Sequence, residues 1–170
     1  MDDYIGLDAL NATSDGDLHA LLLGVCASRR WADAVLRGRP YDDTSALYAC
    51  SDDAVDWLDD AALGEALAGH PRIGDRPDNA ASQREQAGMA DADAAIADRI
   101  RTGNIAYEKT FGHVYLVCAS GRSPEELLAI LESRLDNDPA YERGVVLGEL
   151  AAINRLRLAR LVDPPTATAP

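Results

Sequence analysis

Residues 111–120 read FGHVYLVCAS, a run of aromatic and β-branched side chains that by composition is a buried β-strand. The rest of the chain decides against a sheet, because no second segment of that kind exists to pair with it. A lone apolar stretch among helices still carries backbone N–H and C=O groups that need partners. A bound polar heterocycle can supply some of them. A short helix or a buried loop satisfied by its neighbours is the structural alternative.

Outward from this stretch the pattern is helical. On the C-terminal side, GRSPEE starts a helix: Ser123 is the N-cap candidate, Pro124 takes the first helical position and Glu126 completes a capping box. Asp138 with Pro139 repeats the signal for a last helix to about 162, where Val146, Leu150 and Ile153 mark the apolar face. On the N-terminal side, helix is expected over 82–109 with an interruption near Gly88 or Gly103. Leu18, Leu21, Leu22 and Val25 predict a helix over 15–28 with Ser14 or Asp15 as cap, and a second over 29–37 that Gly38 and Pro40 break. Thr44 can cap a helix carrying Leu47, Ala54, Val55 and Leu58, and Asp59 or Asp60 opens a short one ending near Gly69. The fold class is therefore all-α, a single-domain helical bundle of about seven to nine helices over 1–162. The tail 163–170, DPPTATAP, has no apolar periodicity and is expected to be disordered.

Composition narrows the function classes. With 170 residues and 47% apolar content, one compact domain with a real core is the default. Sixteen basic residues against 29 acidic ones leave a net charge of −13, a field that repels phosphate backbones and anionic lipid, so neither nucleic acid nor membrane is an expected partner. No apolar run approaches the span of about 20 residues that crosses a bilayer, and MDDYIGLDAL has no signal-peptide character, which reads as a cytoplasmic protein. Cys26, Cys50 and Cys118 are an odd, widely spaced set, expected as free thiols. His19, His70 and His113 form no metal-site spacing with each other or with the cysteines, so no metal is expected. Lys109 is the only lysine, and YEKTFG lacks the glycines of a P-loop.

Three clusters could carry chemistry. Pro71 disfavours helix at His70, so the imidazole should sit at the mouth of a loop, suited to acid–base work or to capping. In SQREQ, Ser82 and Glu85 have capping-box spacing; alternatively Glu85 and Gln86 project from the first turn of a helix, about 100° apart, and hold two edges of one ligand. Arg157 falls on the core side of the last helix and needs an anion or acceptors, with Glu149 as a partner within the protein. Arg122 precedes a capped helix, as a surface residue or an anion contact.

HPRIGD, SQREQAGM, YEKTFGHVYLVCASGRSPEELL and ELAAINRLRLARL together resemble the 2-oxo-4-hydroxy-4-carboxy-5-ureidoimidazoline (OHCU) decarboxylases of urate breakdown, and RRWADAVLRGRPY looks like the bacterial branch. The resemblance covers residues 5–162. It implies an all-α carboxy-lyase without metal or organic cofactor that converts OHCU to (S)-allantoin and CO2. By the same resemblance the acid–base histidine is His70, with Pro71 beside the ligand. The Ser-x-x-Glu-Gln segment is Ser82, Glu85 and Gln86. The main chain holding the ring is Val117, Cys118, Ala119, Ser120 and Gly121, and the arginines are Arg122 and Arg157. His70, Glu85 and Arg122 are the implied catalytic residues and the others bind substrate. The sequence departs from the commoner FGFPF or FGFVF type at His113, Val114 and Tyr115, and its loop between His70 and Ser82 is the short bacterial form.

The chemistry agrees with this inventory. Loss of CO2 leaves electrons that the ring C=N accepts, so the substrate is its own electron sink and one lysine suffices. Two rival readings are a non-catalytic helical scaffold binding partner helices, and a hydrolase of a related ureide such as 5-hydroxyisourate. A homodimer is the default assembly for a small enzyme of this kind.

Overall fold

A computed structural model describes residues 4–165 of the chain, and its helices run α1 (Leu7–Ala12), α2 (Asp15–Val25), α3 (Arg29–Arg37), α4 (Thr44–Asp56), α5 (Asp60–Ala68), α6 (Ala80–Glu85), α7 (Ala94–Phe111), α8 (Pro124–Arg134) and α9 (Pro139–Val162), with a 3-10 turn over Ala87–Asp91. Among the described residues there is no strand, and none of the helices is long and apolar enough to cross a membrane. The fold class is all-α, as the unpaired segment required. Its contacts divide into two compact units: residues up to 66 with those from 151 on, and residues 67–150.

In the first unit the caps follow the sequence closely. Ser14 accepts from Asp17 N–H to start α2, and Ser28 accepts from Trp31 N–H to start α3. For α4 the cap is Asp43, not Thr44: its carboxylate accepts from Ala46 N–H at 2.8 Å, and Thr44 becomes the first helical residue. Trp31 is fully buried and donates its indole N–H to Ser51 at 3.2 Å, which fastens α3 to α4 without leaving a buried donor unpaired. The short α1 escaped the periodicity argument because one turn and a half carries too few apolar positions to register. Asp163 closes the last turn of α9 through its N–H to Ala159 O and accepts from the Tyr48 hydroxyl at 2.7 Å; from residue 166 on, the tail expected to be disordered lies outside the described residues.

The second unit has its own core of Ile73, Ile100, Tyr107, Tyr115, Val117, Ala119, Leu127, Leu128 and Leu131. α7 and α8 approach closely where Gly103 faces Leu131, since a β-carbon there would stand 2.6 Å from a leucine methyl. Gly103 therefore packs within α7, and of the two positions expected for the interruption the structure takes the other, Gly88, within the break over 86–93. Gly112, at φ 79°, ends α7 in a left-handed cap and turns the chain into the 113–119 segment. The Ser123 and Glu126 capping box forms in full: Glu126 N–H donates to Ser123 Oγ at 3.2 Å, and Ser123 N–H to Glu126 Oε2 at 2.7 Å.

Candidate active site

His70 lies two residues past the end of α5, half-buried, its N–H donating to Leu67 O at 3.0 Å. Pro71 then commits the chain to an extended path, which is why the helix stops here. The loop it enters is held by side chains. Gln86 Nε2 donates to Arg72 O at 3.2 Å, its Oε1 accepts from Gly74 N–H at 3.0 Å, and Asn104 Nδ2 donates to Ile73 O at 2.9 Å. Arg72 also grips Glu108 of α7 with two hydrogen bonds, and the bond together with the guanidinium charge holds the Glu108 carboxyl below its ordinary range.

The SQREQ segment differs from its expected arrangement. The N-cap of α6 is Asn79, whose Oδ1 accepts from Ser82 N–H at 2.8 Å, so Ser82 and Glu85 do not form a capping box. Asparagine ranks with the best N-caps, and Asn79 stands three residues upstream of Ser82, where it claims the start of the helix. Glu85 and Gln86 consequently leave the last turn of α6, not the first: Glu85 is the final helical residue and Gln86 the C-cap. Both are buried, with Glu85 7% and Gln86 8% exposed, as is Ser82 at 2%.

The 113–121 stretch is extended and takes its partners from side chains rather than from a strand. Arg134 Nη1 donates to Leu116 O at 2.8 Å, Cys118 N–H donates to Glu149 Oε2 at 2.7 Å, and Arg122 Nε returns to Cys118 O at 3.0 Å. Arg122 N–H closes the turn onto Ala119 O, with Gly121 at φ 75°. Behind the stretch lies a buried network in which Glu142, fully enclosed, accepts from Arg134, from the Tyr107 hydroxyl at 2.5 Å and from Asn137 at 2.7 Å. Burial alone would raise the Glu142 carboxyl; the hydrogen bonds and the Arg134 charge outweigh it and hold the group below its ordinary range.

One close approach and one electrostatic link join these pieces. A β-carbon on Gly88 would stand 2.6 Å from Arg122 O, so only glycine lets the 3-10 turn after Gln86 lie against the 119–122 turn. The Cys118 thiol is pushed up by burial first, then by the Glu149 carboxylate, with Glu85 adding to it and Arg122 opposing, so all three charged groups act on this half-buried thiol.

Every site residue expected from the sequence except Arg157 lies in the 67–150 unit: His70, Pro71, Ser82, Glu85, Gln86, the run from Val117 to Gly121, and Arg122. Arg157 belongs to the other unit, is buried there, and donates Nη1 to Val25 O at 2.8 Å. Glu149, weighed as its partner, accepts from Cys118 N–H. His19 pairs with Asp33 at 3.1 Å, and His113 packs edge-on to Tyr107. Asn104, Arg134, Glu142 and Tyr107 were not singled out from the sequence; the available signal was the demand of the unpaired segment and its neighbouring loop for partners. Cys26, Cys50 and Cys118 are free thiols. Among the described residues no group of three or more His, Cys, Asp or Glu side chains could hold a metal ion. A groove of about 550 Å³ between α3 and α4, lined in part by Arg37, Cys50 and Trp57, contains none of the expected site residues.

Residues 11–159 match the OHCU decarboxylase family. The chain is 31% identical over 141 residues to the 2-oxo-4-hydroxy-4-carboxy-5-ureidoimidazoline decarboxylase of Amia calva, covering 79% of this chain and 81% of that protein. It is 28% identical over 150 residues to the uric acid degradation bifunctional protein TTL of Arabidopsis thaliana, covering 80% of this chain but only 44% of the longer protein. A crystal structure of OHCU decarboxylase in the presence of (S)-allantoin is similar with a TM-score of 0.73 and 26% identity, over 87% of this chain and 97% of that one. A crystal structure of (S)-allantoin synthase shares the fold at a TM-score of 0.72 and 18% identity, over 92% of this chain and 54% of that one.

Proposed function

The chain belongs to the OHCU decarboxylase family, and from that premise we propose that it removes CO2 from 2-oxo-4-hydroxy-4-carboxy-5-ureidoimidazoline to give (S)-allantoin in urate degradation. The observation that carries this reading is the gathering, in one compact unit, of a loop-mouth histidine, a buried glutamate freed from capping, and a main-chain turn closed by an arginine.

The bond between the carboxylate and the ring carbon breaks, CO2 leaves, and the electron pair passes toward the ring C=N. The substrate thus holds the electrons itself, and neither metal nor organic cofactor is needed for that step. What remains for the protein is to turn the carboxylate out of the ring plane, stabilise the enolate and deliver a proton to one face of the new carbon. His70 is the acid–base group near the hydroxyl and carboxylate, with Pro71 against the ligand. Glu85 anchors ring and ureido N–H groups, with Ser82 beside it, and Gln86 contacts the ureido arm while tying down the His70 loop. The main chain from Val117 through Cys118, Ala119 and Ser120 to Gly121 receives the ring, and Arg122 binds anionic oxygens. Glu149 and Arg134 support the reading, because they take up Cys118 N–H and Leu116 O and keep that main chain extended.

The test is an assay with freshly generated OHCU that follows both the rate and the handedness of allantoin. Rapid formation of the (S) enantiomer, unchanged after exhaustive chelation, is the expected result; no acceleration over the spontaneous reaction would overturn it. We further infer a cytoplasmic enzyme, on its free thiols, acting as a homodimer, to be checked by light scattering.

A further inference from the structure

The loop after His70 is fixed at three consecutive residues by two side-chain amides, Gln86 at Arg72 and Gly74 and Asn104 at Ile73. Gln86 already has a place in the proposed site. Asn104 does not: it sits in the middle of α7, 3% exposed, with Gly103 beside it packed against Leu131. Its Nδ2 is committed to Ile73 O, but its Oδ1 is buried without a hydrogen-bond partner.

A buried amide with one end unsatisfied is a poor choice for stability, since a leucine of the same branched shape would occupy the position without carrying an orphan acceptor. Leucine would in turn leave Ile73 O without its donor, so the exchange trades one unsatisfied oxygen for another. Ile73 does not need the bond to stay in place, because its side chain is already buried in the core with Ile100 and Tyr107. What asparagine adds is direction. Its N–H fixes how the Ile73 carbonyl points, Pro71 locks one of the dihedrals between that carbonyl and His70, and the Gln86 bonds to Arg72 O and Gly74 N–H hold the residues on either side of Ile73.

We propose that Asn104 is a positioning residue for the decarboxylation, setting the His70 imidazole through the Ile73 carbonyl without touching substrate. The inference rests on the reading of His70 as the acid–base group. It assigns a rate role to a residue that packing alone would not make an amide, since the bond to Ile73 O comes with a buried, unsatisfied Oδ1.

The experiment compares Asn104→Leu, His70→Gln and the double variant with the parent in the OHCU assay and in thermal unfolding. Asn104→Leu is expected to keep Tm within about 3 °C and KM within twofold, while kcat falls about 10- to 100-fold, the scale of a misplaced catalytic group. The double variant should be no slower than His70→Gln, because a displaced imidazole and a missing one cannot both be lost. Parental kcat in Asn104→Leu, or losses that multiply in the double variant, would overturn the inference while leaving His70 in place. Parental turnover in His70→Gln would remove its premise, and the inference with it. Should Asn104→Leu fail to fold, Asn104→Ser, too short to reach Ile73 O, carries the same expectations.

Discussion

Arg122 performs a structural task with one edge of its guanidinium, donating Nε to Cys118 O, and that leaves the planar end to meet an anion. Lysine keeps the charge and loses the fork, whereas alanine loses charge, fork and the bond to Cys118 O. Arg122→Lys should therefore retain partial activity, while Arg122→Ala raises KM, lowers kcat and costs about 1 kcal/mol of stability from the lost bond; steady-state kinetics with denaturant melts read both. Parental kinetics in the two variants would return Arg122 to a purely structural role. His70 makes the opposite case. Its backbone N–H donates to Leu67 O at the end of α5 and it sits at a loop mouth, a bond that His70→Gln keeps, so the variant should hold the fold within about 1 kcal/mol. The rate on OHCU should fall on the order of 100-fold. A folded variant with near-parental turnover would exclude it as the acid–base group. Glu85 belongs at this scale too. In Glu85→Gln the cap bond from Ser82 N–H to Asn79 stays in place, so a loss of rate in that variant cannot be attributed to loss of that cap.

Among the elements, the 3-10 turn over Ala87–Asp91 connects α6 to the 119–122 turn, and Gly88 is the point of contact. The atom facing it is a main-chain oxygen, which cannot rotate away as a flexible side chain would. Gly88→Ala must therefore push the two turns apart, costing about 1–3 kcal/mol as overpacking does and lowering the rate by separating Glu85 from the Cys118–Arg122 main chain. Gly144→Ala in α9 is the control: nothing lies within 4 Å of its added carbon, and it should gain about 0.5–1 kcal/mol from helix propensity alone. Equal effects at the two sites, measured by thermal unfolding, would show that the contact at Gly88 does not matter. The same elements show which parts of the site were legible in sequence. The Ser123 and Glu126 box was, because both halves of a cap lie within four residues and need nothing else. The Ser82 and Glu85 pair had the same spacing and was not a cap, because Asn79 competed for the position. Local spacing states what a segment can do, and the neighbouring residues decide whether it does so.

For the whole molecule, pH is the probe that reaches the buried network. The Glu142 carboxyl lies below its ordinary 4.5 in the folded chain, so its bonds to Arg134, Tyr107 and Asn137 contribute full stability above that value and lose it as pH falls through the folded value. Neutralising surface carboxylates relieves the self-repulsion of a chain with net charge −13, which acts the other way, so the measurement belongs in about 0.15 M salt, where surface repulsion is screened. Tm should be flat from neutral pH to about 5 and drop below that. Glu142→Gln should melt earlier at pH 7, by about 3–5 kcal/mol for a broken buried pair, with a shallower acid dependence. An unchanged acid slope in that variant would place the sensitivity elsewhere. At this scale the sequence by itself determined the helical class, because a single strand-like run has nothing to pair with, and it determined most helix ends, because caps and breakers act within a few residues. Family resemblance, read from HPRIGD, SQREQ and the 111–122 run, named residues that the structure gathers in one unit. What only the tertiary structure decided is how an unpaired stretch stays extended and how the His70 loop is held. Glu149 lies 31 residues from Cys118, Arg134 lies 18 from Leu116 and Asn104 lies 31 from Ile73. No local pattern marks such pairs, since which polar side chain reaches which buried carbonyl is settled only when the helices pack.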